Sequence, residues 1–232
     1  MSNGVAVVIP NRNYGRFLGQ ALQSCVEQTV KPTRIVVADA GSTDESREVF
    51  ESLCYLHKLW VNVPPIPGIG RWRNAGIAAV DCEWIISLDA DDWLEPTYIE
   101  RCLEAAEPTK GIVATGLRWE SSDPNEVRWE QNPDEPITIE RLLRKNRLFA
   151  ASMFRRRAWE EVGGFWNLPI NEDWDLWIRI LAQGWDVAVI PEPLLHHRSH
   201  DDAVSVVAAG EAQARMRAAL RERHRELLAL YG

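Results

Sequence analysis

The segment EWIISLDADDW, residues 83–93, joins a strand-like run directly to a cluster of carboxylates. Its first half is rich in apolar and β-branched side chains, which is typical of a buried strand. Asp89, Asp91 and Asp92 follow at once. Carboxylates crowded at the end of a strand repel one another unless a cation or hydrogen-bond donors lie close by. The segment therefore predicts a functional crevice at the end of a buried strand.

Similar strand-like runs recur on both sides of this segment and alternate with helix-like stretches. They are VAVVIP at 5–10, RIVVAD at 34–39, KLWVNV at 58–63, GIVATGL at 111–117 and DVAVIP at 186–191. Ser42 and Glu45 predict a capping box for a helix after residue 43, and a second helix is predicted at Glu172–Gln183. This alternation predicts an α/β fold with a Rossmann-like, mostly parallel sheet flanked by helices. Ligands bind such sheets beyond the carboxyl ends of the strands, where Asp39 and Asp89 stand.

The length, the net charge and the cysteine content of the chain limit the classes of protein to which it can belong. A length of 232 residues suits a single folded unit, and a net charge of −8 argues against nucleic acid as a partner. No apolar run reaches the ~18 residues of a membrane span, and MSNGVAVVIP lacks the layout of a signal peptide, so we expect a cytoplasmic protein. The four cysteines are widely spaced, which favours free thiols over a zinc site.

The acidic cluster after residue 88 has two interpretations. Carboxylates one residue apart suit a hard cation, Mg²⁺ or Mn²⁺, that shares its coordination sphere with substrate phosphates. Acids are also favoured at a helix N-terminus, and Pro96 suits the first turn of a helix that follows. An EF-hand loop is excluded, because Trp93 and Leu94 stand where a ligand and a turn glycine are required. These residues alone leave the metal site and the helix start both open.

Motifs along the chain occur in a familiar order. They are VAVVIPNRN, VVADAGSTD, GIGRWRNAGI, ISLDADDWLEP, and GGFWNLPINEDWDLWIRILAQG with the HHRSH that follows it. From about Val5 to about Ser205 this order resembles the inverting family 2 glycosyltransferases, which have the GT-A fold. The resemblance implies a domain at 1–205, with a nucleotide-sugar-binding half at 1–117 and an acceptor-binding half at 118–205. A C-terminal helical tail is expected at 206–232.

The resemblance also implies an activity. The enzyme would move a sugar from a nucleotide-diphosphate donor to a hydroxyl of a glycan, a lipid-linked molecule or another acceptor, with Mn²⁺ or Mg²⁺ as cofactor. Asp39 would accept a hydrogen bond from the N3–H of uracil or thymine, which favours UDP-sugars and places dTDP-sugars second. Asp91 would hold the metal, with His200 as a further ligand and His196 and His197 as its rivals. The nucleotide-sugar-binding residues implied are Pro10, Asn11, Arg12, Asp39, Arg73, Asp89 and Ala90.

Asp173 falls at the position of the family's general base, which takes the proton of the attacking hydroxyl. Glu172 and Trp174 are expected to bind the acceptor, since an indole face stacks well on a sugar ring. The alternative is that Glu172 and Asp173 only start a helix, where negative charge is favourable. The half that follows residue 117 is rich in tryptophans: Trp119, Trp129, Trp166, Trp174 and Trp177. Any one of them can instead be a core residue.

Two features depart from the family pattern. Ala40 stands where the family commonly has a second acid, and Arg12 stands where an aromatic residue is frequent. Both changes lie near the nucleotide end, so they bear on base preference and leave Asp91 and Asp173 in place.

Two other functions compete with sugar transfer. A sugar nucleotidyltransferase also places acids at strand ends, but VVIPNRNYGRF lacks the glycine-rich loop that cradles a triphosphate. A catalytically weak binding domain for nucleotide or glycan is disfavoured by the presence of Asp91 and Asp173. In the tail, arginines from Arg215 to Arg225 suit contact with an anionic membrane surface, whereas the glutamates between them favour a solvated helix.

Overall fold

The structure, a computed structural model, describes residues 2–121, 130–131, 136–168, 170–200 and 211–231. The strands are β1 (Ser2–Asn11), β2 (Arg34–Asp39), β3 (Lys58–Asn62), β4 (Cys82–Ser87), β5 (Trp93–Leu94), β6 (Lys110–Ser121), β7 (Glu130–Gln131), β8 (Met153–Arg155) and β9 (Asp186–Ser199). The helices are α1 (Gly15–Val26), α2 (Ser46–Ser52), α3 (Ile69–Ala78), α4 (Tyr98–Glu104), α5 (Ile139–Arg144), α6 (Arg156–Glu161), α7 (Glu172–Ala182), α8 (Glu211–Arg223) and α9 (Arg225–Tyr231).

All of these strands belong to one sheet. Its order is β3-β2-β1-β4-β8-β6-β9-β5, and β7 pairs with β6. The first four strands of this order are parallel to one another, and β6 is parallel to β9. Strand β8 is antiparallel to both of its neighbours, and β5 is antiparallel to β9. The predicted α/β fold with a mostly parallel sheet is therefore confirmed.

Alternating side chains of the central strands build a core on each face of the sheet. In β1, Val5, Val7 and Ile9 point to the face covered by α1 and α4, whereas Ala6 and Val8 point to the face covered by α3 and α7. All five are at most 3% exposed. Burial on both faces explains why the parallel strands appear in the sequence as continuous apolar runs. Helices on both sides leave the strand ends as the open edge of the sheet.

The loop after β2 differs from the prediction. No capping box forms, because α2 begins at Ser46 and its N-cap, Glu45, makes no side-chain capping bond. The hydroxyl of Ser42 instead donates to Asp39, and Ser46 N donates to Asp44 Oδ1 at 3.1 Å. Side chains that could have capped a helix therefore stabilise the loop that follows the strand.

Strand β9 is longer than the predicted DVAVIP and extends to Ser199. Its second half runs beside β6 as far as Ser121, so β6 crosses the predicted division at residue 117. The two halves of the domain thus share one continuous strand pair. The extension also places His196 and His197 on a strand.

The C-terminal helices pack onto the domain. Leu220 of α8 is 3% exposed and joins the core on the α7 face of the sheet, and α9 contacts α5. Between the two helices, His224 Nε2 lies 3.0 Å from Asp175 Oδ1 of α7, and both side chains are buried. The Arg223 guanidinium stacks on Trp166, 3.3 Å from the ring centroid. The tail is thus anchored on α7 rather than wholly solvated.

Among the residues that the structure describes, no helix combines the length and the apolar character needed to cross a bilayer. Contact of the tail with a membrane surface stays a prediction.

Candidate functional site

The ends of β1 and β2 place Asn11 beside Asp39. Asn11 Nδ2 donates to Asp39 Oδ1 at 2.9 Å, and the backbone N–H groups of Gly41 and Ser42 donate to Oδ2 at 3.1 and 3.0 Å. With the Ser42 hydroxyl, these donors match the roughly four acceptor sites of a carboxylate. Asp39 is 4% exposed and held in one orientation. The N–H group of a bound nucleobase would therefore replace one of the existing hydrogen-bond donors to Asp39.

Two other predicted nucleotide-binding residues flank this pair and differ in exposure. Pro10 is buried within β1, whereas Arg12 is exposed just beyond the end of the strand. Arg12 is therefore open to an incoming anion, and Pro10 serves to shape the strand end.

The acids after β4 are held by partners from several elements. Asp91 Oδ2 lies 2.9 Å from His200 Nε2, and Asp92 Oδ1 lies 3.0 Å from His197 Nδ1. Burial, with Asp92 and Asp89 nearby, raises the pKa of Asp91 to about 6. Burial alone would lower the pKa of His197, but attraction to Asp92 outweighs it and raises the pKa to about 9. Asp91 and Asp92 thus each have a histidine partner, and the raised pKa of His197 favours a positive charge beside Asp92.

The three histidines of the HHRSH motif have different partners. His200 lies beside Asp91 and His197 beside Asp92. His196 stacks on Trp93 and lies between two glutamates, Glu95 at 2.8 Å and Glu120 at 2.9 Å. The structure thus brings His200, and neither of its rivals, into hydrogen-bond contact with Asp91. The side chain of Ala90 is buried in the core, which leaves only its backbone for a ligand.

Arg73 lies beneath these carboxylates and is 2% exposed. Its Nη2 donates to Asp89 Oδ1 at 2.8 Å, its Nη1 to Ser87 Oγ at 2.7 Å, and its Nε to Glu172 Oε1 at 3.1 Å. The guanidinium therefore links the end of β4 to the start of α7. The guanidinium is buried among these partners, and the predicted role of Arg73 in nucleotide-sugar binding stays a prediction.

Glu172 and Asp173 occupy the first turn of α7. Asn171, just before them, adopts a left-handed backbone with φ 61°, which asparagine tolerates better than most residues. Glu172 is 5% exposed, and burial raises its pKa to about 7 although Arg73 opposes the change. Because it is buried and ion-paired, Glu172 is not placed to contact an acceptor directly.

Asp173 is partly exposed, and Asn146 Nδ2 donates to its Oδ2 at 3.2 Å. The protein around the carboxylate removes much of its water, and this desolvation raises the pKa of Asp173; the Trp174 backbone N–H, Arg73 and Asn146 partly offset the change. A carboxylate with a raised pKa is a stronger base than an ordinary aspartate, which suits proton abstraction.

One cleft of about 320 Å³ connects two of the acids that follow β4, Asp89 and Asp92, with Asp173. Its lining includes Asp89, Asp92 and His197 at one side and a largely apolar wall at another. That wall and its rim comprise Leu117, Trp119, Lys145, Asn146, Leu148, Phe149, Ala150, Ala151 and Leu195. Sequence reasoning missed Asn146 and the segment around it, because they lie in a loop between a helix and a strand and carry no recognisable motif. The cleft is large enough for a sugar-sized group.

The tryptophans of this half have different surroundings. Trp174 is 4% exposed and its Nε1 donates to Leu142 O at 2.6 Å, which corrects the prediction that its indole stacks on an acceptor. Trp177 is fully buried, and Trp166 lies beneath Arg223. Trp119 is the one that lines the cleft among those that the structure describes, whereas Trp129 lies outside the described residues.

Asp91 and His200 are compatible with the ligands of a Mn²⁺ or Mg²⁺ ion. Asp91 Oδ2 and His200 Nε2 are 2.9 Å apart, close to the ~3 Å between adjacent ligands of an octahedral ion with bonds of about 2.1 Å. His200 Nδ1 is buried without a hydrogen-bond partner. Within the described ranges, no three acidic, histidine or cysteine side chains form a complete metal site. An ion here would therefore need further ligands from substrate phosphates or water, as Mg²⁺ commonly does.

The sequence matches a known family over this region. Residues 6–163 match the family model of glycosyl transferase family 2. Since the match covers more than half of the chain, the protein belongs to glycosyltransferase family 2. Chondroitin synthase of Pasteurella multocida (strain Pm70) is 28% identical over 195 residues, which are 78% of this chain and 19% of that relative. The chain thus spans about a fifth of the length of this relative.

Solved structures share the fold. S. aureus TarS 1–349 in complex with UDP-GlcNAc has a TM-score of 0.71 at 15% identity, with 95% of this chain and 72% of that chain covered. The mannosyltransferase PcManGT from Pyrobaculum calidifontis, in complex with GDP-Man and Mn²⁺, has a TM-score of 0.66 at 19% identity, with 86% and 58% covered. The predicted GT-A fold is therefore confirmed.

Proposed function

We propose that this protein is an inverting, metal-dependent glycosyltransferase that moves a sugar from a nucleotide-diphosphate donor to an acceptor hydroxyl. The observation that carries the proposal is the cleft itself, which joins Asp89 at the end of β4 with Asp173 at the start of α7. One side of this cleft offers charged groups for a nucleotide-sugar. The other side offers a base and an apolar wall for an acceptor.

Asp173 is the proposed general base. Its carboxylate is partly exposed and lines the cleft, so a hydroxyl that enters there can approach it. Inversion requires the hydroxyl to attack from the face opposite the leaving diphosphate while the base takes its proton. Glu172 and Arg73, both buried, hold the first turn of the helix in place from below. Trp119 is the aromatic residue that we propose for acceptor contact in place of Trp174.

Asp91 and His200 are the residues that would hold Mn²⁺ or Mg²⁺. When bound, the ion acts as a Lewis acid that stabilises the charge of the departing diphosphate. Asp39 and Asn11, at neighbouring strand ends, are proposed to receive the base of the nucleotide, and Arg12 to lie near its charged part. A UDP-sugar is our preferred donor, because a carboxylate at Asp39 accepts from the uracil N3–H.

The deciding experiment compares Asp173→Asn with Glu172→Gln. If Asp173 is the base, Asp173→Asn should lower kcat by roughly 10²–10⁴-fold, the usual worth of a general base, without changing UDP affinity. The rates are measured as release of nucleoside diphosphate from a panel of UDP-, dTDP- and GDP-sugars with Mn²⁺ and an added acceptor. Calorimetry gives the UDP affinity. Glu172→Gln keeps the buried shape but weakens the link to Arg73, so it controls for disturbance of the helix start.

Three results would count against the proposal. Near-normal kcat in Asp173→Asn would mean that another residue is the general base. Undiminished transfer in excess chelator would contradict the proposed metal dependence. Release of pyrophosphate in place of nucleoside diphosphate would indicate a nucleotidyltransferase.

A further inference from the structure

Asn146 lies in the loop between α5 and β8, lines the cleft and contacts the first turn of α7. Its Nδ2 donates to Asp173 Oδ2 at 3.2 Å, and its Oδ1 accepts from the backbone N–H of Leu148 at 3.2 Å. The Leu148 N–H is a donor, so it fixes which end of the amide faces the helix. The loop thus presents an N–H group to the carboxylate in a set orientation.

We propose that Asn146 is a positioning residue that holds the carboxylate of Asp173 toward the cleft. This inference rests on the proposed function, in which Asp173 is the general base. A carboxylate on the first turn of a helix can rotate about two side-chain bonds, and a hydrogen bond to one oxygen restricts that rotation. Asn146 also lines the cleft, so its amide lies beside the space that an acceptor would occupy.

The chemistry of an amide suits this role. Arg73, Asp89 and Glu172 all act on Asp173 through their charges, and Lys145 stands at the rim of the cleft. A further cation in direct contact would stabilise the ionised carboxylate strongly and weaken it as a base. A neutral N–H donor orients the same carboxylate at a smaller cost in basicity. Asn146 therefore orients the carboxylate of Asp173, which keeps most of its affinity for a proton.

The test uses two substitutions that separate the bonds of Asn146. Asn146→Ala removes both hydrogen bonds, whereas Asn146→Asp keeps an oxygen for the Leu148 N–H and removes the donor that faces Asp173. For both variants we expect kcat to fall by roughly 10–100-fold, the scale of misplacing a catalytic group by about 1 Å. The acid limb of the kcat–pH profile should move to higher pH, and further in Asn146→Asp because it adds a negative charge. UDP affinity should stay unchanged.

Arg144→Ala, at the exposed end of α5, is the matched control for the loop. Near-normal kcat with an unmoved acid limb in both Asn146 variants would overturn the inference. So would a fall in kcat that comes with lower UDP affinity or melting temperature but leaves the acid limb unmoved, since that pattern indicates a structural role. Asp173→Asn, measured in parallel, separates the two proposals: if it remains active, the base assignment itself has failed.

Discussion

Replacing Arg73 by methionine is expected to destabilise the protein strongly and in a pH-dependent way. Methionine fills much of the same volume but leaves Glu172 without its cationic partner. The two side chains are 2% and 7% exposed, so water cannot replace the lost ion pair. Breaking a buried pair by removing one partner costs about 3–5 kcal/mol. Asp89, 30% exposed, is partly hydrated and should add little.

The pH dependence follows from Glu172. Its pKa lies at about 7 in the folded protein, above its usual value of 4.5. Its contribution to stability is therefore fully present below about pH 4.5 and is lost as the pH rises through about 7. Without Arg73 the pKa of Glu172 rises further, so this loss extends to higher pH. The penalty of Arg73→Met should accordingly be larger at pH 8 than at pH 6.

Urea and thermal unfolding at both pH values measure the effect. For a domain of this length, about 3–5 kcal/mol corresponds to a fall of about 6–20 °C in Tm. The double variant Arg73→Met with Glu172→Gln removes the buried charge as well, so at pH 8 it should be more stable than Arg73→Met alone. A penalty below about 1 kcal/mol at both pH values, or strictly additive effects in the double variant, would refute the reasoning.

Three further predictions concern other parts of the molecule. Leu220→Ala should cost about 2–5 kcal/mol in urea unfolding, and His224→Ala should also destabilise, because the tail is part of the core; wild-type stability in both would contradict its docking. In metal-free protein the His197 contribution to stability is present below about pH 6.5 and is lost as the pH rises through about 9. His197→Gln should therefore make the unfolding midpoint depend less on pH over that range. An unchanged pH dependence would argue against the ion pair of His197 with Asp92. Cys54, the exposed cysteine, should react with a thiol reagent at a normal rate and the other three slowly, and four equal rates would contradict their burial.

The parts of the fold predicted best from sequence are those with a local signature. Strand β2 occupies residues 34–39 as predicted, and α7 begins at Glu172 as predicted. A strand buried on both faces must be apolar throughout, and a helix with one buried face must repeat its apolar residues at helical spacing. The same logic identified the carboxylates at the strand ends, since acids are costly next to a buried strand unless they have a function.

The parts that sequence reasoning missed depend on contacts between distant residues. The sequence predicts a short strand near Ala151–Arg155, where β8 lies, but the place of β8 between β4 and β6 is set by its neighbours and not by its own three residues. Arg73 looks like a surface cation in its helix, and only the approach of Glu172 from α7 makes it a buried link. Asn146 and Trp174 show the same limit. Asn146 lies in a loop, where no periodic pattern indicates its role. The indole of Trp174 would suit the protein core and a sugar-binding site equally well.

The position of β9 within the sheet has a consequence for how the chain is made. Among the residues that the structure describes it is the last strand along the chain, yet in the sheet it lies between β6 and β5. Until it is synthesised, β6 has an unpaired long edge, and such edges readily pair with other chains. Its pairing joins residues 186–199 to 110–121, a non-local contact of the kind that forms slowly. A nascent chain that stalls before residue 186 would therefore expose the open side of β6 to aggregation.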